Sequence, residues 1–409
     1  MQLSVKEKSI VDFIQSGSAI ANCFNYIKDH YSLRYNVITN NIENKNKLIN
    51  GKYQIIDDRE INTMYINMCA LFTKKDDKVS KDLLSAFIHS NHIEMYNPFM
   101  DFIETNKNIN RSEDLIKQLA DCITTDTKDA YKYIKHWGCG MIASIYGSQS
   151  PLTLVLAGEK LNTGKTEFFR RLLPDELKYY YAESALDAGK DDDILMCRKL
   201  IIMDDEFGGK SKRDQKRFKG LTSKQNMSIR SPYERTSTEM RRICSLCGTS
   251  NELDLLHDPY GNRRILPINV LSINHEQYNS IDKDSLFMAF YDLYKSGFLW
   301  KFKQEDIEQL NKDSEAFLAV NYEAELISKC FELPDNDKAG ELMTNTDIKD
   351  HIELHTKQKI FNTTKLGVEL KKLGFEQSVK KVNHFTKRLY RVVKIENSVT
   401  TNESKPYPF

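Results

Sequence analysis

Residues 152–173 read LTLVLAGEKLNTGKTEFFRRLL, and the interpretation of the whole chain turns on them. Leu152 to Ala157 is a short apolar run, the size of a buried strand; Lys165 to Leu173 is helix-prone and is stopped by Pro174. Between them lies a loop that closes on Gly164-Lys165-Thr166. A strand, a loop and a helix opening on GKT is the layout of a phosphate-binding loop. In such a loop the backbone N–H groups and the helix N-terminus point at a polyphosphate, the lysine reaches the β- and γ-phosphates, and the hydroxyl holds Mg²⁺. Five residues separate Gly158 from Gly164, one more than the usual spacing. Asn162 stands where a middle glycine is often found, and asparagine is the non-glycine residue that best tolerates a left-handed backbone. The phosphate-binding candidates are therefore Gly158, Asn162, Thr163, Gly164, Lys165 and Thr166.

The rest of the chain limits what such a loop can serve. At 409 residues it is too long for one core, so two or three domains are expected. Charged residues make up 29% and the net charge is +1, which excludes a globally basic nucleic-acid coat but leaves room for local patches. No apolar run approaches a membrane span, and MQLSVKEKSI lacks a signal-peptide core, so a cytoplasmic protein with no membrane partner is expected. Eight scattered cysteines suit a reducing compartment. Cys244 and Cys247 form a lone C-x-x-C inside an apolar run, which reads as two packed thiols rather than a zinc site.

Along the chain, residues 1–34 read as helical, with Ile20, Phe24 and Ile27 on one face. Two short strands around an Asn-rich turn with Gly51 follow, then helices through Ile61–Leu71, Leu83–Phe87, Leu115–Leu119 and Tyr131–Ile145. This gives a helix-rich accessory domain, 1–145. An α/β core is expected over 146–280, a helical lid over 281–335, and a small module over 340–409 whose helix, helix, hairpin order suggests a winged helix.

Within the core, a second apolar strand, Leu200 to Met203, runs into Asp204, Asp205 and Glu206 about forty residues beyond GKT. Two strands whose C-terminal ends meet would bring those acids to the phosphate loop, one for the metal and one to orient water. Asp205 is assigned to Mg²⁺ together with Thr166, and Glu206 to water activation; Asp204 is an alternative to Asp205, because strand register is open at this stage. A third strand, Ile243 to Gly248, expected between the other two, ends in Thr249-Ser250-Asn251, and Asn251 is the candidate contact to the γ-phosphate and the lytic water. Arg263 and Arg264, adjacent on a loop, suit an arginine finger reaching a neighbouring subunit's nucleotide, with either as the finger.

Taken together, GEKLNTGKTEFFRRLLP, LIIMDDEF, FKGLTSKQNMSIRSPY, CGTSN and DPYGNRRILPI resemble the virulence-associated E family, with RYNVITNNIE and YNPFMDFIE as its lead-in. The likeness covers about residues 30–275. That family comprises bacterial, phage and mobile-element proteins, often described as primase-helicases and related to superfamily 3 helicases. The resemblance implies an AAA+-like P-loop core, ATP and Mg²⁺ as cofactors, a homo-oligomeric ring taken as hexameric, and ATP-driven movement on DNA in replication of a mobile element. It also implies Walker A roles for Lys165 and Thr166, Walker B roles for Asp205 and Glu206, a sensor role for Asn251 and a finger at Arg263 or Arg264. No paired carboxylates of the primase kind precede residue 150, so priming is not carried over. A nucleotide-switched replication initiator and a DNA-triggered ATPase of anti-phage defence are the rival functions.

For the single-stranded DNA of a ring channel, the candidates lie on the hairpin between the second and third core strands: Lys224, Arg230, Arg235, Arg241 and Arg242, with Tyr233 able to stack on a base. The C-terminal module adds Lys371, Lys372, Lys380, Lys381, Lys387, Arg388, Arg391 and Lys394, a patch that suits duplex DNA or a docking protein. His351-Ile-Glu-Leu-His355 misplaces its glutamate for a zinc-protease helix and reads as a solvated face.

Overall fold

The computed structural model describes residues 18–49, 51–74, 77–109, 114–185, 190–208, 212–229, 238–256, 262–318, 322–334, 340–356, 363–382 and 385–395. They belong to two units, Met1–Leu318 and Ala319–Phe409.

The first unit starts with α1 (Ala19–His30), whose N-terminus is capped by the Ser18 hydroxyl accepting from Ala21 N. Its buried face is Ala21, Cys23, Tyr26 and Ile27; Ile20, expected on that face, is 46% exposed. The chain then passes directly into β1 (Tyr31–Asn36), β2 (Asn41–Asn46) and β3 (Gln54–Ile55). The expected helix thus stops short of residue 34. The expected hairpin is present, since β2 and β3 pair antiparallel on either side of the stretch that holds Gly51, and a further turn at 37–40, where Asn40 takes φ 55°, joins β1 to β2. After α2 (Asp58–Leu71) and α3 (Lys81–Ile88), β4 (Glu94–Tyr96) joins parallel to β1, giving the order β3-β2-β1-β4. Met64, Met68, Leu84 and Ile88 close a small core against α1 and this sheet.

Next come α4 (Pro98–Thr105), α5 (Asp114–Asp121), β5 (Ile123–Thr124) and α6 (Ala130–Ile145). They share one hydrophobic core with the strands that follow: Phe102, Ile116, Tyr133 and Trp137 cluster with Leu154, Leu156 and Ile268. Trp137 Nε1 also donates to Leu246 O at 2.7 Å. The expected domain boundary at 145/146 therefore falls inside a single packed layer.

The central sheet is built from β6 (Thr153–Ala157), β7 (Tyr181–Glu183), β8 (Ile201–Asp204), β11 (Ser245–Ser250) and β12 (Ile265–Asn269). Its order is β12-β6-β11-β8-β7, with all neighbours parallel. Every residue of β6 and β8 is buried, which is why both read as unbroken apolar runs in the sequence. Between these strands run α7 (Lys165–Arg170), a 3₁₀ turn at Asp175–Tyr180, α8 (Lys190–Arg198) and α9 (Lys212–Ser223). The antiparallel ribbon of β9 (Asn226–Ile229) and β10 (Thr238–Arg241) precedes β11. Helix α7 is shorter than expected: the chain leaves the helix at Arg171, and Leu172 and Leu173 are buried beyond it. β13 (Ser272–Ile273), α10 (His275–Ser280), α11 (Lys283–Lys295) and α12 (Gln304–Asp313) complete the unit, with α11 packed on α6. Among the described residues no helix is long and apolar enough to cross a membrane.

In the second unit α13 (Tyr322–Cys330) and β14 (Phe331–Glu332) are followed by β15 (Glu341–Thr344), α14 (Asn345–Thr356), α15 (Thr363–Lys372), β16 (Gln377–Val382) and β17 (Phe385–Lys394). β17 pairs antiparallel with β14, β15 and β16. Leu326 and Ile327 of α13 pack with Ile348, Ile352, Leu366 and Leu370, so α13 belongs to this core and not to a lid ending at 335. His351 is only partly on a solvated face: its ring lies 4.9 Å from Phe331 and 4.0 Å from His355.

Candidate functional site

The ends of β6, β8 and β11 meet at one cavity of about 530 Å³, lined by residues 161–167, Asp205, Glu206, Thr249, Asn251 and His275. Register explains the convergence. Gly248 of β11 lies level with Val155 of β6 and Asp204 of β8, so the residues just beyond share one rim.

The loop after β6 is shaped by its backbone. Asn162 takes φ 57° and Gly164 φ 87°, the left-handed region that asparagine and glycine enter at least cost. Those two turns aim the start of α7 at the cavity. Gly158 sits against the end of β12, where a Cβ would come within 2.5 Å of Val270 O. Lys165 is buried, 6% exposed, and its ammonium donates to Gly158 O at 2.9 Å and Lys160 O at 3.0 Å. Burial pushes its pKa down, and the Asp205 carboxylate opposes that shift. The result is a cation held by carbonyls inside its own loop, where an added anion would gain strongly.

The acidic strand end shows which aspartate faces the loop. Asp205 Oδ1 accepts from Thr166 Oγ1 at 2.7 Å and from Thr249 Oγ1 at 2.7 Å. Thr249 also donates to Asp205 O at 3.0 Å, and Phe207 N donates to Thr249 O at 2.9 Å. Asp204 is buried, with its Oδ1 accepting from Glu206 N at 3.3 Å. Of the two aspartates it is therefore Asp205 that meets Thr166. A hydroxyl and a carboxylate in contact make an oxygen pair of the kind a hard divalent cation takes. Glu206 and Asn251 stand exposed at the same rim.

Arg263 and Arg264 lie elsewhere. They immediately precede Ile265, which pairs with Thr153 at the start of β6, whereas the loop running from Gly158 to Gly164 follows Ala157 at the other end. Four residues of strand, roughly 13 Å, separate the two levels. Arg263 lines a separate cavity of about 370 Å³ with Lys224, Gln225, Trp300, Lys301 and Phe302. Arg264 donates to Ser223 Oγ at 2.8 Å, and burial together with the neighbouring Arg263 lowers its pKa. Among the described residues neither arginine forms an ion pair.

The expected DNA contacts divide. Lys224 is paired with Asp193 at 3.1 Å. Arg241 is exposed at the end of β10. Arg230, Tyr233 and Arg235 lie outside the described residues. Arg242 is a correction: it is fully buried and donates to the carbonyls of Thr222 (2.8 Å), Cys244 (3.3 Å) and Ser150 (3.3 Å). It closes the C-terminal end of α9, where a cation also complements the helix dipole. Cys244 and Cys247 are buried free thiols.

Two residues of the site were not singled out from sequence. Thr249 was visible in the TSN tip, two residues before Asn251, but only the folded strand shows that its side chain faces Asp205. His275 carried no signal at all; it begins a short helix after β13, and its ring lies where a Cβ on Gly164 would stand, 2.1 Å from Cε1.

Fold and site together define a mixed α/β protein with a parallel central sheet and a polar cavity at its strand ends. The model of the virulence-associated protein E-like domain matches residues 103–319, more than half of the chain, and the chain belongs to that family. Two apo structures of the NrS-1 C-terminal region are similar over 92% of this chain, at 13% identity. They cover 100% and 99% of their own chains, with TM-scores of 0.48 and 0.47. No curated protein matches the chain.

Proposed function

We propose that this chain is an ATP-driven DNA helicase or translocase of a mobile-element replication system, with ATP and Mg²⁺ held at the cavity shared by β6, β8 and β11. The observation that carries the reading is the contact of Thr166, Asp205 and Thr249 beside a buried Lys165. Three separate strand ends supply those groups, and an ordinary solvated turn would not bury the lysine. The donor set fits the cofactor: a left-handed loop backbone, one cation and a hydroxyl–carboxylate pair are what a triphosphate with its metal requires.

ATP would supply the γ-phosphoryl group and Mg²⁺ the charge neutralisation for transfer to water. Lys165 would exchange its two carbonyl partners for phosphate oxygens. Thr166 and Asp205 would hold the metal, Glu206 would orient and deprotonate water, and Asn251 would fix its position. Arg263 or Arg264 lies too far along the strands to serve its own chain's cavity, so a finger role requires a second copy and hence a ring. The hairpin bearing Arg241 and the helix–helix–hairpin module, read as a winged helix, are the DNA contacts of this account. A second reading, a nucleotide-switched initiator with little turnover, draws on the same Lys165 contacts, because nucleotide must first pull the lysine off its loop.

Hydrolysis with and without single-stranded DNA, alongside unwinding of a forked duplex, separates the two. A motor shows DNA-stimulated hydrolysis and strand separation, both lost in Glu206→Gln. Tight nucleotide-dependent DNA binding without unwinding supports the initiator, and the lack of both DNA-stimulated hydrolysis and nucleotide-dependent DNA binding removes both.

A further inference from the structure

A second cavity, also of about 530 Å³, opens on the N-terminal sheet and is lined by Arg34, Tyr53, Glu94, Tyr96, Asn97 and Asp101 among others. Arg34 on β1 is held on three sides. Its Nε donates to Glu43 Oε2 at 2.7 Å, and its guanidinium carbon lies 3.4 Å from the Tyr96 ring centroid and 3.7 Å from that of Tyr53. Glu43 is fixed in turn: its Oε1 accepts from Asn36 Nδ2 at 2.6 Å, and the same buried amide donates to Tyr180 OH at 2.8 Å. The arginine is therefore pre-set by a chain of bonds that reaches the 3₁₀ turn beside the central sheet.

That geometry uses one N–H of five and both faces of the plane. Among the described residues the guanidinium makes no hydrogen bond other than that to Glu43, yet its side chain is still 22% exposed. Its far edge is thus a rigid pair of donors open to the cavity. Glu94 lies level with Arg34 on the adjacent strand, and Asp101 lies on the first turn of α4. Neither carboxylate forms an ion pair or side-chain hydrogen bond among the described residues. Among the described residues Arg34 is the one cation that lines this cavity, already matched by Glu43, so a phosphate finds little there.

A flat ligand with acceptors on one edge, donors on another and an aromatic body meets every one of these features. Guanine is the base with that layout: N7 and O6 face an arginine, while N1–H and the 2-amino group face carboxylates. We infer that this cavity takes a guanine base, from a strand or from a free nucleotide, at a site separate from the phosphate loop.

The test uses the full chain and 2′-deoxyguanosine, followed by ligand-observed NMR, with 2′-deoxyadenosine, 7-deaza-2′-deoxyguanosine and 2′-deoxyinosine in parallel. The inference expects deoxyguanosine to bind about tenfold or more tighter than deoxyadenosine. Loss of N7 or of the 2-amino group should each weaken binding several-fold, as should Asp101→Asn, while Lys165→Ala should leave it unchanged. Because Arg34→Gln removes a stacked and bonded side chain and endangers the local fold, the analogue series on the unaltered chain carries the decision. Comparing dGMP with a thymidine oligomer containing one dG tells a free nucleotide from a strand; tighter binding of either supports a guanine site. Equal binding of all four nucleosides, or deoxyguanosine binding lost in Lys165→Ala and unchanged in Asp101→Asn, would overturn it.

Discussion

Gly158→Ala tests the loop more sharply than removal of a charged group, because the obstacle is geometric. A Cβ at this position would stand 2.5 Å from Val270 O and 3.4 Å from its carbonyl carbon. That carbonyl is backbone, and Val270 is itself tied to the end of β6 by its N–H donating to Ala157 O at 2.6 Å, so it has little freedom to retreat. Relief must come from moving the loop outward by several tenths of an ångström. Overpacking of this kind costs about 1–3 kcal/mol. The same shift carries Gly158 O, one of the two acceptors of Lys165, away from its ammonium. A displacement approaching 1 Å at a catalytic group costs on the order of 100-fold in rate. Gly220→Ala in α9 is the matched control: a Cβ there meets nothing within 4 Å, and alanine in a helix interior gains up to ~1 kcal/mol over glycine. Urea denaturation gives the stability and steady-state ATP hydrolysis the rate. A Gly158→Ala chain as stable and as active as the native one would refute the packing argument, and so would a Gly220→Ala chain destabilised to the same degree.

Three further outcomes follow from single sites. Arg242→Met leaves the carbonyls of Thr222, Cys244 and Ser150 without their buried donor, and at ~1–3 kcal/mol per unsatisfied group the loss should reach about 3 kcal/mol or more; an unchanged thermal midpoint would contradict this. Asp205→Asn keeps acceptors for Thr166 and Thr249 at an exposed position, so stability should change by less than about 1 kcal/mol while metal-dependent turnover is lost; retained turnover would show that the metal is held elsewhere. Lys283 is pushed down to about 8 by burial, against an ordinary value of 10.5 kept in the unfolded chain. Between those values the unfolded state binds the extra proton, so this group's contribution to stability rises with pH. Lys283→Met removes that slope, and its stability relative to the native chain should fall between about pH 8 and pH 10.5; parallel curves would exclude the assignment.

Much of the site was legible because it depends on local chemistry. GKT after an apolar run places Lys165 and Thr166, and Asn162 is in the left-handed region that its residue type suggested. Long-range pairing was legible only in outline. Insertion of β11 between β6 and β8 was expected, but Asp204 and Asp205 could not be separated, since one residue of register exchanges the two faces of a strand. The N-terminal sheet was harder still. β1 shows no clean alternation, with only Tyr31 and Asn36 buried, and Asn36 is buried because it bonds Glu43 and Tyr180, partners 7 and 144 residues away. Arg242 was misread as a DNA contact because adjacent arginines on a charged hairpin look alike in sequence; burial alone tells it from Arg241. Helix α13 was grouped with the preceding helices because its spacing says which face is apolar but not which core receives it.

The central claim is that the ends of β6, β8 and β11 form one site for a triphosphate and its magnesium. Equilibrium binding of ATP, with and without Mg²⁺, to the native chain, Lys165→Ala and Asp205→Asn tests it most directly. The account predicts tight binding to the native chain, loss of that binding in Lys165→Ala, and loss of the Mg²⁺ dependence alone in Asp205→Asn. Equal ATP affinity in all three chains would contradict it.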